Sequence, residues 1–207
     1  MRRGKFITLE GVDGAGKSTH LAWLADLARS RGETVVTTRE PGGTPLGERL
    51  RELLLVEPMQ PAAETLLMFA ARAEHLATVI EPALAKGTWV ISDRFTDASY
   101  AYQAGGRRVP WDKIAILEYW VQGDLQPDLT LLFDVPLNLS RQRLAQSGNP
   151  PDRFEREQTE FFERVRTAYL ARAAAFPDRI KVIDGSKPLA DVQSQIERLI
   201  LEQQCRR

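Results

Sequence analysis

Cysteine is almost absent: the 207-residue chain has one, Cys205. A single thiol excludes a disulfide framework within the chain and fits a reducing compartment, so a cytoplasmic location is expected. Histidine is scarce as well. His20 and His75 both fall in predicted helices without partner cysteines, which argues against a metal site of imidazoles and thiolates. Net charge is lacking too, with 28 basic residues against 28 acidic ones. Nothing in that balance calls for nucleic acid or an acidic membrane as partner. Long hydrophobic runs are missing; the apolar stretch at residues 6–9 is far too short for a signal-peptide core or a membrane span. No internal repeat or low-complexity tract interrupts the chain.

What remains is an ordinary soluble composition, 43% hydrophobic and 27% charged. The length suits one domain spanning residues 1–207, enough to hide about 70% of the unfolded surface. The basic residues are uneven, 22 Arg against 6 Lys. Arginine suits two-pronged phosphate contacts, although a compositional bias explains surface positions equally well.

Short apolar runs alternate with helical segments. Strands are expected at residues 6–9, 34–38, 88–92, 129–135 and 180–183. Helices are expected at 17–31, 46–56, 61–86 (with Pro82 as a potential break), 96–104, 112–121 and 189–201. This alternation predicts an α/β fold, a parallel sheet covered by helices on both faces. Ligands in such sheets bind at the carboxyl ends of strands, where Asp93, Asp134 and Asp184 fall. The turn-forming run Ser147-Gly-Asn-Pro-Pro151 separates two helical stretches and reads as a lid at about 147–155.

Gly11-Val12-Asp13-Gly14-Ala15-Gly16-Lys17-Ser18 fits G-x-x-x-x-G-K-[ST] at every fixed position, between a predicted strand and a predicted helix. Glycines let successive N–H groups point inward at phosphate oxygens, and the helix start adds its positive dipole end. The loop through Thr19 is therefore expected to hold the phosphates of ATP. Lys17 should reach the β- and γ-phosphates, and the Ser18 hydroxyl should ligate Mg²⁺. A guanine-reading Asn-Lys-x-Asp is missing, which disfavours a switch GTPase. No strand ends in the Asp-Glu of a motor or transport ATPase. A small metabolite kinase is the reading left.

Four stretches then carry a resemblance. Phe6-Ile-Thr-Leu-Glu-Gly-Val-Asp-Gly-Ala-Gly-Lys-Ser-Thr19 resembles the opening of thymidylate kinases, and Arg39-Glu-Pro-Gly-Gly-Thr44 the segment after their second strand. Asp93-Arg94-Phe95, with Ser99-Tyr-Ala-Tyr102-Gln103 beyond it, resembles their Asp-Arg motif and base-reading helix. Asp152-Arg153-Phe154-Glu155 resembles the lid of the bacterial form. The likeness runs in order from about residue 5 to 200.

The resemblance implies the P-loop nucleoside monophosphate kinase fold: three layers α/β/α, a five-stranded parallel sheet and a lid. It implies transfer of a phosphoryl group from ATP to dTMP, with Mg²⁺, by a homodimer. Lys17, Arg94, Arg153 and Asp13 are the catalytic candidates. Asp13, Arg39, Phe69, Arg72, Arg94, Ser99, Tyr102 and Gln103 are expected to hold dTMP. Arg94 and Arg39 would take its phosphate and Asp13 the deoxyribose 3′-hydroxyl. Arg72, Gln103 and Ser99 would meet the base, with Phe69 stacked on it. Here the chain departs from the family pattern: Met68 stands where the stacking Phe usually sits, so Met68 is the alternative. Asp93 resembles an acid acting on Mg²⁺ through water; capping the next helix is its plainer role. The loop lacks an arginine, so charge stabilisation falls to Arg153, with Arg143 and Arg156 as weaker candidates. Competing readings are a kinase of another nucleoside monophosphate or deoxynucleoside, or a non-catalytic nucleotide-dependent switch.

Overall fold

The strand β1 (Phe6–Glu10) is buried along its whole length because it runs through the middle of a parallel sheet. Its neighbours are the other near-continuous apolar runs, β3 (Trp89–Asp93) and β4 (Leu129–Asp134). The less buried β2 (Val35–Arg39) and β5 (Ile180–Asp184) take the edges. The order is β2-β3-β1-β4-β5, with every pairing parallel. Glu10, Arg39, Asp93, Asp134 and Asp184 thus end their strands on one edge of the sheet. The computed structural model describes residues 3–146 and 152–205.

Successive strand residues face opposite sides, and the core divides accordingly. Ile7 and Leu9 join a large cluster with α1 (Lys17–Ser30), α8 (Thr159–Ala175) and α9 (Leu189–Cys205). Phe6 and Val90 join a second cluster with Leu76, Ile80, Leu84 and Phe95. Both faces are therefore covered, as the alternating pattern requires. The helix α2 (Pro45–Val56) starts on a side-chain cap: Thr44 Oγ1 accepts from the Gly47 N–H at 2.8 Å.

Two helical stretches differ from their sequence-based form. Residues 61–86 stay helical through Pro82, as α3 (Pro61–His75), a wide π turn (Leu76–Ile80) and α4 (Glu81–Ala85). A proline lacks an N–H and its ring crowds the carbonyl four residues back. The wide turn just before Pro82 loosens that spacing, so the proline does not end the helix. Likewise α5 (Thr96–Ser99) passes into a π segment (Tyr100–Gly106), which carries Tyr102 and Gln103. The remaining helices are α6 (Trp111–Gln122) and α7 (Leu137–Gln146). Residues 147–151, the first part of the expected lid, lie outside the described residues.

Candidate active site

The phosphate loop leaves the carboxyl end of β1 and closes onto α1. Gly11 has φ +132°, and a Cβ there would stand 2.4 Å from the Phe133 carbonyl oxygen. Gly14 has φ +77° and would meet the Ser140 carbonyl oxygen at the same distance. Backbone conformation and the close approach of β4 and α7 thus both demand glycine. Lys17 Nζ folds over the loop and donates to the carbonyls of Gly11 at 3.1 Å and Val12 at 3.0 Å. Ser18 and Thr19 stay exposed in the first turn of α1. A glycine-bent loop, a helix start and a buried ammonium are the parts from which an anion cradle is built.

Arg94 follows β3 directly and holds φ +71°. Its Nη1 donates to the Gly11 carbonyl at 2.8 Å and to Tyr169 Oη at 3.0 Å. Its Nη2 donates to Asp13 Oδ1 at 2.6 Å and to Tyr102 Oη at 3.0 Å. Tyr102 in turn donates to Asp13 Oδ2 at 3.0 Å. Burial pushes the Asp13 carboxyl upward, but the charges of Arg94 and Lys17 outweigh it and hold the group well below the usual carboxylate range. Burial likewise works against the Arg94 cation, yet Asp13 and the two tyrosines keep it firmly charged. Behind this group lies Glu10, which the sequence reading passed over. Its oxygens accept from the Phe95 N–H at 2.7 Å and the Tyr169 hydroxyl at 2.8 Å. Burial, then the nearby Asp97 charge, push it up to about 8. The available signal was a carboxylate ending an otherwise apolar central strand.

A cleft enclosing about 610 Å³, its open mouth included, adjoins the loop, a size that suits a small ligand. Asp13, Arg72, Arg94, Ser99, Tyr102 and Gln103 all line it, so six of the eight residues expected to hold dTMP converge there. Arg72 is buried; its Nε donates to Glu40 Oε2 at 2.7 Å and its Nη2 to Ser99 Oγ at 3.0 Å. Its Nη1 is buried without a hydrogen-bond partner among the described residues. Glu40 also meets His75 Nδ1 at 3.0 Å, so that histidine belongs to a buried polar network.

The other two expected dTMP residues are corrections. Phe69 does not line the cleft; it packs with Tyr100, Ala104 and Ile114, and the Arg72 guanidinium lies 4.7 Å from its ring centre. Met68 lines the cleft instead, because one step along a helix turns a side chain by about 100°. Arg39 is 53% exposed, pairs with Glu48 at 2.8 Å, and is not a lining residue. Arg51 takes that place, its Nη1 donating to the Pro41 carbonyl at 3.0 Å. Nothing local distinguished Arg51 from Arg49, the other basic residue of α2.

Arg153 also differs from expectation. Its guanidinium turns to α3, with Nη1 2.7 Å from Glu64 Oε2 and Nε donating to the Leu54 carbonyl at 2.9 Å. Arg143, one of the weaker candidates, does lie beside the phosphate loop, its Nη1 4.0 Å from where a Gly16 Cβ would stand. Of the three strand-end acids, Asp134 is taken by a two-pronged pair with Arg166 at 2.6 and 2.8 Å, and Asp184 by Ser186. Asp93 is left: its Oδ1 is buried with no partner among the described residues. An orphaned carboxylate oxygen on Asp93 and an exposed Ser18 hydroxyl are oxygen donors of the kind that fit a hydrated Mg²⁺. No cluster of three or more His, Cys, Asp or Glu capable of holding a metal occurs among the described residues.

The comparisons agree with this geometry. The family model described as thymidylate kinase matches residues 9–196. A thymidylate kinase of Bordetella petrii is 66% identical over 194 residues, covering 94% of this chain and 93% of that protein. One of Methylobacillus flagellatus is 62% identical over 200 residues, covering 97% and 98%. The crystal structure of thymidylate kinase from Ehrlichia chaffeensis superposes with a TM-score of 0.77 at 33% identity, over 96% of this chain and 99% of that one. With a matching family model, these full-length likenesses and a phosphate loop opening onto a nucleotide-sized cleft, the chain belongs to the thymidylate kinase family.

Proposed function

We propose that the chain transfers the γ-phosphoryl group of ATP to dTMP, giving ADP and dTDP, with dTMP in the cleft beside the phosphate loop. The observation that carries this reading is Arg94. It stands between loop and cleft, with one nitrogen on the Gly11 carbonyl and the other on Asp13. A cation placed there bridges donor and acceptor phosphates, and phosphoryl transfer asks chiefly for alignment and cancellation of charge.

The loop from Gly11 to Thr19 is assigned to the ATP phosphates, with Lys17 swinging from its backbone carbonyls onto phosphate oxygens. Mg²⁺ would be held by Ser18 and, through water, by Asp93, and when bound it supplies neutralising charge between the phosphates. Arg94 and Arg51 are assigned to the acceptor phosphate. Asp13, kept ionised by Arg94 and Lys17, accepts from the deoxyribose 3′-hydroxyl, and Tyr102 holds both Asp13 and Arg94 in place. Arg72, Ser99 and Gln103 face the base. Met68 lies against it, while Phe69 supports Arg72 from below. Arg153 is assigned to transition-state charge, which requires it to leave Glu64 as the lid closes.

The family resemblance and the exposed face of α6 lead us to assign a homodimer. Ile116, Tyr119 and Trp120 are 59%, 76% and 76% exposed on one short helix, and such apolar patches mark interaction surfaces. No helix among the described residues is long and apolar enough to cross a membrane. A cytoplasmic site of action is part of the proposal.

Separation of the nucleotides after incubation with Mg·ATP and dTMP tests the reaction. Equal amounts of ADP and dTDP support it; ADP without dTDP would favour a nucleotide-dependent switch.

A further inference from the structure

We propose that Glu64, which does not itself line the cleft, decides which pyrimidine is accepted by fixing the direction of the Gln103 amide. The inference rests on the reading above that the base of the acceptor occupies the cleft. Glu64 is fully buried on α3. Its Oε1 accepts from Gln103 Nε2 at 2.8 Å. Its Oε2 accepts from Arg107 Nε at 3.1 Å and lies 2.7 Å from Arg153 Nη1. A carboxylate has no hydrogen to give, so Gln103 must turn its NH₂ toward it. The Gln103 carbonyl oxygen is then the end left for a ligand, and Gln103 lines the cleft.

Arg72 lines the same cleft and holds Nη1 buried without a partner among the described residues. Gln103 and Arg72 therefore give the cleft wall one acceptor and one donor, neither able to change its sense. Gln103 is locked by Glu64, and a guanidinium only donates. Thymine and uracil present the complement, an N3–H donor and a C4 carbonyl acceptor. Cytosine presents the reverse at both atoms, an unprotonated N3 and a C4 amino group. Each mismatch leaves buried polar groups unpaired, which lowers affinity by about tenfold or more. A free glutamine could reverse its amide to meet cytosine N3. Glu64 removes that freedom, so it is a positioning residue that sets specificity without touching the substrate.

The test is the ratio of kcat/KM for dTMP to that for dCMP, measured with Mg·ATP. In Glu64→Gln the new amide must turn its carbonyl to Arg107 and Arg153 and its NH₂ to Gln103, which then reverses. The ratio should fall by about tenfold, chiefly through a higher KM for dTMP. Glu64→Asp, which keeps the carboxylate, should keep the ratio even where both rates drop. In a Gln103→Ala background, Glu64→Gln should move the ratio no further, because Glu64 acts through Gln103. An unchanged ratio in Glu64→Gln, with both substrates losing equally, overturns the proposal and leaves Glu64 a structural residue only. Should Glu64→Gln fail to fold, the side-chain amide of Gln103 in ¹⁵N-labelled wild-type protein decides. Amide protons protected from exchange with water both with and without dTMP agree; amide protons that exchange freely until dTMP binds contradict. Wild-type protein without preference for dTMP would instead overturn the acceptor reading itself, and this inference with it.

Discussion

Glu10 lies behind the arginine–tyrosine group that joins loop to cleft, bonded to it through Tyr169, and its titration has a measurable sign. Burial raises its carboxyl from the ordinary value of 4.5 to about 8. Between those values the folded protein keeps a proton that the unfolded chain has lost. The stability from that proton is complete below about pH 4.5 and is lost as pH rises toward 8. Glu10→Gln cannot ionise and lacks that slope. Urea unfolding at pH 5, 6.5 and 8 should show wild-type stability declining against the variant by at most about 1.4 kcal/mol per pH unit. Parallel pH profiles would place Glu10 outside this account. Residues such as Asp13, Lys17 and Arg94 were legible because a motif fixes their position along the chain. Glu10, Arg51 and Glu64 were not, because their roles arise from tertiary contacts, such as Glu10 with Phe95 and Glu64 with Arg153, that no local motif announces.

Among the elements, strands were read to within about a residue because period and burial are local properties. The π turns were not, since they depend on how a helix must bend over the sheet. Binding α5 to α8 is a buried polar knot: Asp97 accepts from Arg172 Nε at 2.8 Å and Arg179 Nη1 at 2.6 Å. Burial opposes its charge, but Arg179 and Arg172 hold the Asp97 carboxyl below its usual range. The knot anchors the π segment that carries Tyr102 and Gln103. The described residues after α7 begin at Asp152 and carry the arginine assigned to transition-state charge. Phe154 packs edge-on to Tyr102, at 5.8 Å between ring centres, while Arg153 is parked on Glu64. If closure brings Arg153 to the phosphates, Arg153→Ala should lower kcat by about a hundredfold or more while changing KM for dTMP far less. Equal loss in both would make Arg153 a residue of the acceptor wall alone.

For the molecule as a whole, the sheet sets five strand ends on one edge, and the sequence brings phosphate loop, Arg94 and the cleft-lining side chains to that edge. The α6 face carries the proposed dimer. Sedimentation of the wild-type protein should give twice the chain mass, and Trp120→Glu should shift it toward the monomer. Wild-type protein that sediments at the chain mass would contradict the assignment. The central claim is that the cleft holds dTMP as phosphoryl acceptor. Its most direct test is ADP release from Mg·ATP in the presence, separately, of dTMP, dUMP, dCMP, AMP, GMP and thymidine. The account predicts strong preference for dTMP and little turnover with thymidine, which lacks the phosphate that Arg94 and Arg51 would hold. Comparable release with AMP or GMP, or release independent of any acceptor, would contradict it.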